Sequence, residues 1–325
     1  MKALQITARG VAEFVDIPKP APRAGYALIR PIVLSLCASD IWKWRYAPAD
    51  NYPQEPGSSG HEIIGIIEAI NGEFHGMAIG DAVLALNPPQ LGMAEYFTAP
   101  FEHILPVLAG VAPEHLVQAQ QLGTVIYGAK ALPNMVGKSV AVIGQGSAGL
   151  WWNTVLSRMG ASHVIGIDVQ AHRAKLGLQF GATHSIHNKE VEAEASVQAI
   201  LDGKLPDVVI EAAGETDSIN LAFDLVKEYG FVLQFGVPHE QTFMVNYNTQ
   251  FRKCLTVKHI VYATREPGHT STLKALQMIA SGEVNVAPVI THHFPFDQVL
   301  QAYELQATRD EGAVKIIIDM PEPKV

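Results

Sequence analysis

Two groups of residues in this chain have the types and spacing to do chemistry. The first is Gly144-Gln145-Gly146-Ser147-Ala148-Gly149. An apolar run, Val140-Ala141-Val142-Ile143, leads into it, and Leu150-Trp151-Trp152-Asn153-Thr154-Val155-Leu156 leaves it with the pattern of a helix. A second apolar run, Val164-Ile165-Gly166-Ile167, ends in Asp168. Strand, glycine turn, helix, strand and acid in that order make a dinucleotide-binding βαβ unit. Gly144 serves the tight turn. Gly146, with Ser147 and Ala148, lets backbone N–H groups approach a pyrophosphate at the helix N-terminus. Gly149 lets the helix lie close to the strand. Stripped of this context, the six residues read only as a glycine turn in an α/β protein.

Asp168 chooses between cofactors. A carboxylate at that strand end accepts hydrogen bonds from the adenosine ribose and repels a 2′-phosphate. Arg173 is a group that can welcome that phosphate, but its spacing, one helical turn past Val169, points it to solvent. The expectation is therefore NAD rather than NADP. Taken alone, Asp168 reads as a helix N-cap.

The second group is Cys37-Ala38-Ser39-Asp40 with Gly60-His61-Glu62. A thiolate and an imidazole suit zinc. Singly, Cys37 reads as a small buried hydrophobe and His61 as a satisfied core or surface group.

These groups need elements to hold them. Residues 1 to about 125 are rich in Gly, Pro and short β-type runs, among them 27–34, 62–69 and 82–86, and read as a curled, mostly β domain. From Ser139 onward strands and helices alternate through residues 256–261. That rhythm predicts a doubly wound, parallel six-stranded sheet covered on both faces, a Rossmann α/β fold. The tail carries an amphipathic helix at 271–281, a helix at 296–306 and a strand at 314–318, and is expected to rejoin the first domain. The domains read as 1–125 with 265–325, and 126–264. The cleft between them, at the carboxyl edge of the parallel strands, is the expected active site.

Composition narrows the partners. The chain has 325 residues and a net charge of −9, which argues against nucleic acid and anionic membranes. No apolar run reaches membrane-spanning length, and the first residues begin as a strand without a signal peptide's apolar stretch. Cys37 and Cys254 are the only cysteines, so a reducing cytoplasm is the natural setting.

Taken together, these motifs resemble the zinc-containing medium-chain dehydrogenase/reductase family of alcohol, sorbitol and threonine dehydrogenases. Gly80-Asp81-Ala82-Val83, Met93-Ala94-Glu95-Tyr96, Glu211-Ala212-Ala213-Gly214, Gly230-Phe231-Val232 with Phe235-Gly236, and Val314-Lys315-Ile316 extend the resemblance over nearly the full length. It implies a GroES-like catalytic domain beside the Rossmann domain, with Ala213 and Gly236 bordering the cofactor. It implies Cys37 and His61 as ligands of one catalytic zinc, Ser39 as the group that takes the alcohol proton, Asp40 as the residue orienting His61, and Glu62 as a carboxylate able to swing in. The activity implied is hydride transfer between a secondary alcohol or polyol and NAD. A homodimer or homotetramer through the last strand of the parallel sheet is the implied assembly.

The chain departs from that family in three places. The third ligand position, a cysteine or acid in relatives, is Gln121 here, with Gln120 adjacent. A neutral amide leaves a net positive site, and Glu62 is expected to complete it in the resting state; otherwise the metal site is empty. A relay histidine is replaced by Trp42, which cannot shuttle a proton. The four-cysteine structural zinc lobe is missing, its stretch bridged by 87–92, so no structural zinc is expected.

Trp42, Trp44, Tyr46 and Tyr52 read either as a pocket wall or as packing. Cys254, His292 and His293 read as structural. Two other readings compete: a zinc-free NAD(P)H-dependent quinone or alkene reductase, and a dinucleotide-binding protein without turnover.

Overall fold

The structure is a computed structural model that describes residues 1–86 and 90–322. Asn87, Pro88 and Pro89 lie outside the described residues, and with them half of the segment that stands in for the structural zinc lobe. The chain forms two compact units, Met1–Gly123 with Ala263–Val325, and Thr124–Tyr262.

The first unit is built on an antiparallel sheet around the long strand Tyr26–Ser35. Glu62–Asn71 pairs with one edge of that strand, and Lys315–Asp319 and Phe97–Pro100 pair with the other. Pro31 has no N–H for the ladder, and the register slips between Pro31 and Val33. A bulge is where a strand tolerates proline. The core under this sheet collects Leu4, Ile6, Ile29, Leu34, Ile63, Trp44 and Tyr303, all buried. The tail contributes two strands, Ile290–Pro295 and Lys315–Asp319, which pair in parallel, and the helix Val299–Thr308 that carries Tyr303.

The second unit is a six-stranded sheet with every pair parallel. Its order is His184–His187, His163–Asp168, Ser139–Ile143, Val208–Glu211, Phe231–Gln234, Thr256–His259. This is the dinucleotide-binding order, reversing beside Ser139–Ile143. The central strands are buried residue after residue because helices cover both faces. Thr256–His259 stands at the edge and is mostly exposed. Trp151 and Trp152, on the helix Ser147–Arg158, are fully buried. Among the described residues no helix is long and apolar enough to cross a membrane.

Candidate active site

Cys37 is the cap of a short helix, Ala38–Ile41, which continues into a wider π-helical turn, Trp42–Tyr46. Asp40 folds back on the cap and accepts the Cys37 backbone N–H at 2.7 Å through Oδ2. Its Oδ1 accepts the Gly60 N–H and the Ser59 hydroxyl, both at 2.8 Å. One buried carboxylate therefore ties the cysteine loop to the histidine loop. The Ser59 hydroxyl also meets the Tyr303 hydroxyl at 2.7 Å. Ser59 has φ 98°, a left-handed conformation that costs a non-glycine residue about 1–3 kcal/mol. Its two side-chain hydrogen bonds hold it there. At Gly60 the left-handed φ of 76°, with backbone atoms of Gly92 and Met93 3.2 Å from where a Cβ would stand, favours glycine in the turn that presents His61.

The ligand atoms of Cys37, His61 and Glu62 lie within 4.8 Å of one another. His61 Nδ1 faces Asp40 Oδ1 at 3.8 Å. Gln121, near the start of the helix Ala119–Ala129, places its amide nitrogen 4.0 Å from Cys37 Sγ. The Ser39 hydroxyl, His61 Nδ1 and the Gln121 amide oxygen are buried with no hydrogen-bond partner among the described residues. Buried polar atoms without partners cost free energy unless a ligand satisfies them. A thiol, an imidazole and a carboxylate whose donor atoms lie within 4.8 Å of one another, with an amide beside the thiol and orphaned polar atoms around them, fit a zinc ion.

Burial opposes charge on Asp40, but His61 and the N–H groups of Gly60 and Cys37 outweigh it and hold the carboxyl down at about 2. Burial likewise disfavours the His61 cation, yet Asp40 and Cys37 raise its pKa well above the usual imidazole value. A metal must displace that proton, so its affinity will rise with pH.

Glu62 has a second partner. Its carboxylate is closed on Lys315, whose Nζ lies 2.9 Å and 2.7 Å from the two oxygens. In the metal-free structure Glu62 is thus both ion-paired with Lys315 and within reach of the Cys37 and His61 donor atoms. Lys315, Ser59 and Tyr303 were not singled out from the sequence. A lysine inside the apolar run Val314-Lys315-Ile316-Ile317-Ile318 was the signal available, since a buried charge needs a partner.

In the second unit the turn after Ser139–Ile143 is built as a cradle. A Cβ on Gly149 would run into the Gly144 carbonyl oxygen, so helix and turn can close only on glycine. Gly144 lies against Ala213, and Gly236 against Gly214 and Glu211. Ser147 opens the helix and Gly146 caps it. Asp168 accepts the N–H groups of Gln145 and Gln170, each at 2.7 Å. It is therefore not the cap of the next helix, a place Gln170 takes. Glu211 accepts N–H bonds from Ala213 and Gly214 at 2.7 and 2.8 Å, and its burial raises its pKa against those bonds.

Arg173 corrects an expectation. It is only 6 % exposed, not turned to solvent, and its Nη1 stands 3.7 Å from where a Gly146 Cβ would be. Helix Ala171–Gly177 is short and lies against the sheet, so one turn past Val169 faces inward. The aromatic cluster also divides. Trp44 is 2 % exposed and meets Tyr303 edge to face, which makes it core. Tyr52 donates to the Lys43 carbonyl at 2.9 Å. Cys254 is exposed at φ 51° and packs no core. His293 belongs to a strand, its Nδ1 3.2 Å from Asp319.

Comparison with known proteins gives the same outline. Residues 23–117 match the alcohol dehydrogenase GroES-like domain, and 148–281 match the zinc-binding dehydrogenase family. L-threonine 3-dehydrogenase of Chromobacterium violaceum is 26 % identical over 350 residues, covering 98 % of this chain and 99 % of its own. Sorbitol dehydrogenase 1 of Saccharomyces cerevisiae is 25 % identical, covering 88 % of each chain. The apo structure of zinc dependent alcohol dehydrogenase 2 from Streptococcus pneumonia superposes with a TM-score of 0.85 at 24 % identity, over 100 % of both chains.

Proposed function

The chain belongs to the zinc-containing medium-chain dehydrogenase/reductase family, and from that premise we propose that it is a zinc-dependent dehydrogenase acting on a secondary alcohol or polyol with NAD. The observations that carry this reading are the gathering of Cys37, His61 and Glu62, the Gln121 amide beside Cys37, and the unpartnered Ser39 hydroxyl.

Cys37, His61 and Gln121 would hold one zinc ion, which when bound would supply Lewis-acid polarisation of the alcohol oxygen, and bound NAD⁺ would supply the hydride acceptor. Ser39 Oγ would accept the alcohol proton while its own hydroxyl proton passes to solvent, as the C–H electron pair leaves with the hydride for the nicotinamide. Asp40 holds both the Cys37 loop and the His61 ring in place, the supporting role that metal-binding histidines require. Glu62 is neutralised by Lys315, so the donor set carries only the thiolate charge. That favours a strongly acidified substrate oxygen. Trp42 offers no basic nitrogen, so the proton leaves Ser39 without an imidazole relay from that position.

The Gly144–Gly149 turn, Ala213 and Gly236 would bind the cofactor, with Asp168 on the adenosine ribose and Arg173 on the pyrophosphate side of Gly146. NAD is the cofactor we infer, because the Asp168 carboxylate repels a 2′-phosphate. The exposed edge strand Thr256–His259, with Val261 and Phe251 exposed beside it, supports a homodimer built by pairing that strand with its copy. The two unpaired cysteines and the net charge of −9 support a cytoplasmic setting without nucleic-acid or membrane partners.

The zinc-free reductase and the non-catalytic binder are disfavoured by the same convergence of donors. Metal content of the purified protein, measured with NAD⁺ and NADP⁺ reduction over a panel of secondary alcohols and polyols, tests the reading. One zinc per chain and chelator-sensitive NAD⁺ reduction are expected. Full activity in metal-free protein would overturn it.

A further inference from the structure

Two lysines reach the loops that carry Cys37 and His61, Lys315 at Glu62 and Lys43 at Ser58, and they differ in one respect. Lys315 has its carboxylate, Glu62. Lys43 has none: among the described residues no carboxylate lies within ion-pair distance of it, and its Nζ meets only the Ser58 hydroxyl at 3.2 Å and the Gln90 carbonyl at 3.5 Å. Asp40 and Glu55 attract it from farther away. Asp40 is already engaged by two backbone N–H groups, a hydroxyl and His61.

The position of Lys43 is set by its helix. It follows Ser39 by four residues on the continuous helical stretch from Ala38 to Tyr46. Residues four apart share a helix face, with Cβ atoms about 5–6 Å apart. The lysine backbone is pinned, its carbonyl accepting the Tyr52 hydroxyl at 2.9 Å and the Gln54 amide at 2.7 Å. An ammonium has three donors, and here one N–H is unassigned and another makes a bond at the limit of length. The side chain is partly buried, where an uncompensated cation is costly and burial depresses its pKa against the pull of the two acids. A substrate bearing its own negative charge would complete the pairing from the side on which Ser39 meets the alcohol.

We propose that Lys43 receives an anionic group of the substrate, so that the preferred substrate is a secondary alcohol carrying a carboxylate or a phosphate. The proposal rests on the dehydrogenase reading of the same site and specifies its substrate class.

The test uses matched pairs that differ only in the charged group: 3-hydroxybutyrate against 1,3-butanediol, and glycerol 3-phosphate against glycerol. Binding is measured by calorimetry on the full-length, zinc-loaded protein with NADH present, so that no turnover occurs. The wild type is expected to bind at least one acid tenfold or more tighter than its neutral match, and which pair shows it distinguishes carboxylate from phosphate. Lys43→Met should bring that ratio near one, and Lys43→Arg should restore most of it. Equal binding within both pairs, a preference that survives in Lys43→Met, or a loss common to both members of each pair would overturn the proposal. The last result would mark Lys43 as a mere tether of the Ser58 turn. A preference for the acid without NAD⁺ reduction by any pair would leave Lys43 as assigned and sink the dehydrogenase reading instead.

Discussion

Lys315 and Glu62 reach each other from strands on opposite edges of Tyr26–Ser35, with Nζ 2.7 and 2.9 Å from the carboxylate oxygens and both side chains at most 1 % exposed. A buried pair of this kind gains little over an apolar replacement, but breaking it strands a charge at a cost of about 3–5 kcal/mol. Lys315→Met should therefore lower the Tm of the metal-free protein sharply. The Glu62→Gln, Lys315→Met double variant should lose less than the sum of the singles. Zinc should restore part of the Tm of Lys315→Met, because the freed carboxylate can turn to the metal. Additive losses in a thermal-denaturation cycle, with no zinc rescue, would show that the pair does not control Glu62.

Asp40 gathers the Cys37 N–H, the Gly60 N–H and the Ser59 hydroxyl on one carboxylate and faces His61. Groups that orient a metal-binding histidine are worth roughly 10–100-fold in metal affinity or activity. Asp40→Asn should weaken zinc binding by that order in a chelator competition. Ser59→Ala, which removes one of the Asp40 bonds and the link to Tyr303, should weaken it less. Unchanged affinity in Asp40→Asn would remove Asp40 from the metal centre.

Arg173 and Asp168 act on different parts of the cofactor in the proposed binding mode. Loss of one charged hydrogen bond costs about 1.5–3 kcal/mol, roughly 10- to 150-fold. Arg173→Ala should raise KM for NAD⁺ and NADP⁺ by similar factors in that range. Asp168→Ser should favour NADP⁺ relative to NAD⁺. A loss confined to NADP⁺ in Arg173→Ala would place the guanidinium at the 2′-position.

Asp207 fixes the start of the central strands, accepting the Ser139 N–H at 2.9 Å and the Lys227 ammonium at 2.5 Å. Burial would raise its pKa, but Lys227 and Ser139 outweigh that and lower it from 3.8 to about 2. A carboxyl depressed in the folded state binds its proton more readily when unfolded. Its contribution to stability is thus complete above about pH 4 and disappears as pH falls from about 4 to about 2. Asp207→Asn should be less stable than wild type in urea at pH 7, and the difference should close as pH drops below 4. A constant difference across that window would show that the charge of Asp207 is not the cause.

Much of this was readable along the chain because it depends on neighbours in sequence. The apolar strands around Gly144–Gly149 need burial on both faces, and Gly149 needs its missing Cβ, whatever surrounds them. Gln121 came instead from the family resemblance, and its amide stands beside Cys37. Arg173 was misjudged by counting along its helix. Helical spacing tells which residues share a face, and only the sheet packed beneath Ala171–Gly177 tells which face is inside. Trp44 was ambiguous for a similar reason, since an aromatic at a pocket's edge and one in a core look alike until Tyr303 arrives from the tail.

The amino-acid order by itself determined the βαβ glycine turn and the chemical types of the candidate metal donors, because turn geometry and ligand softness are properties of single residues and short runs. The tertiary structure alone decided the charges around those donors. Glu62 is paired with Lys315, 253 residues away, Asp40 is locked by Ser59 and Gly60, and among the described residues no carboxylate lies within ion-pair distance of Lys43. Electrostatic pairing in a poorly screened interior depends on distances of a few ångströms between residues remote in sequence, and no local pattern encodes them.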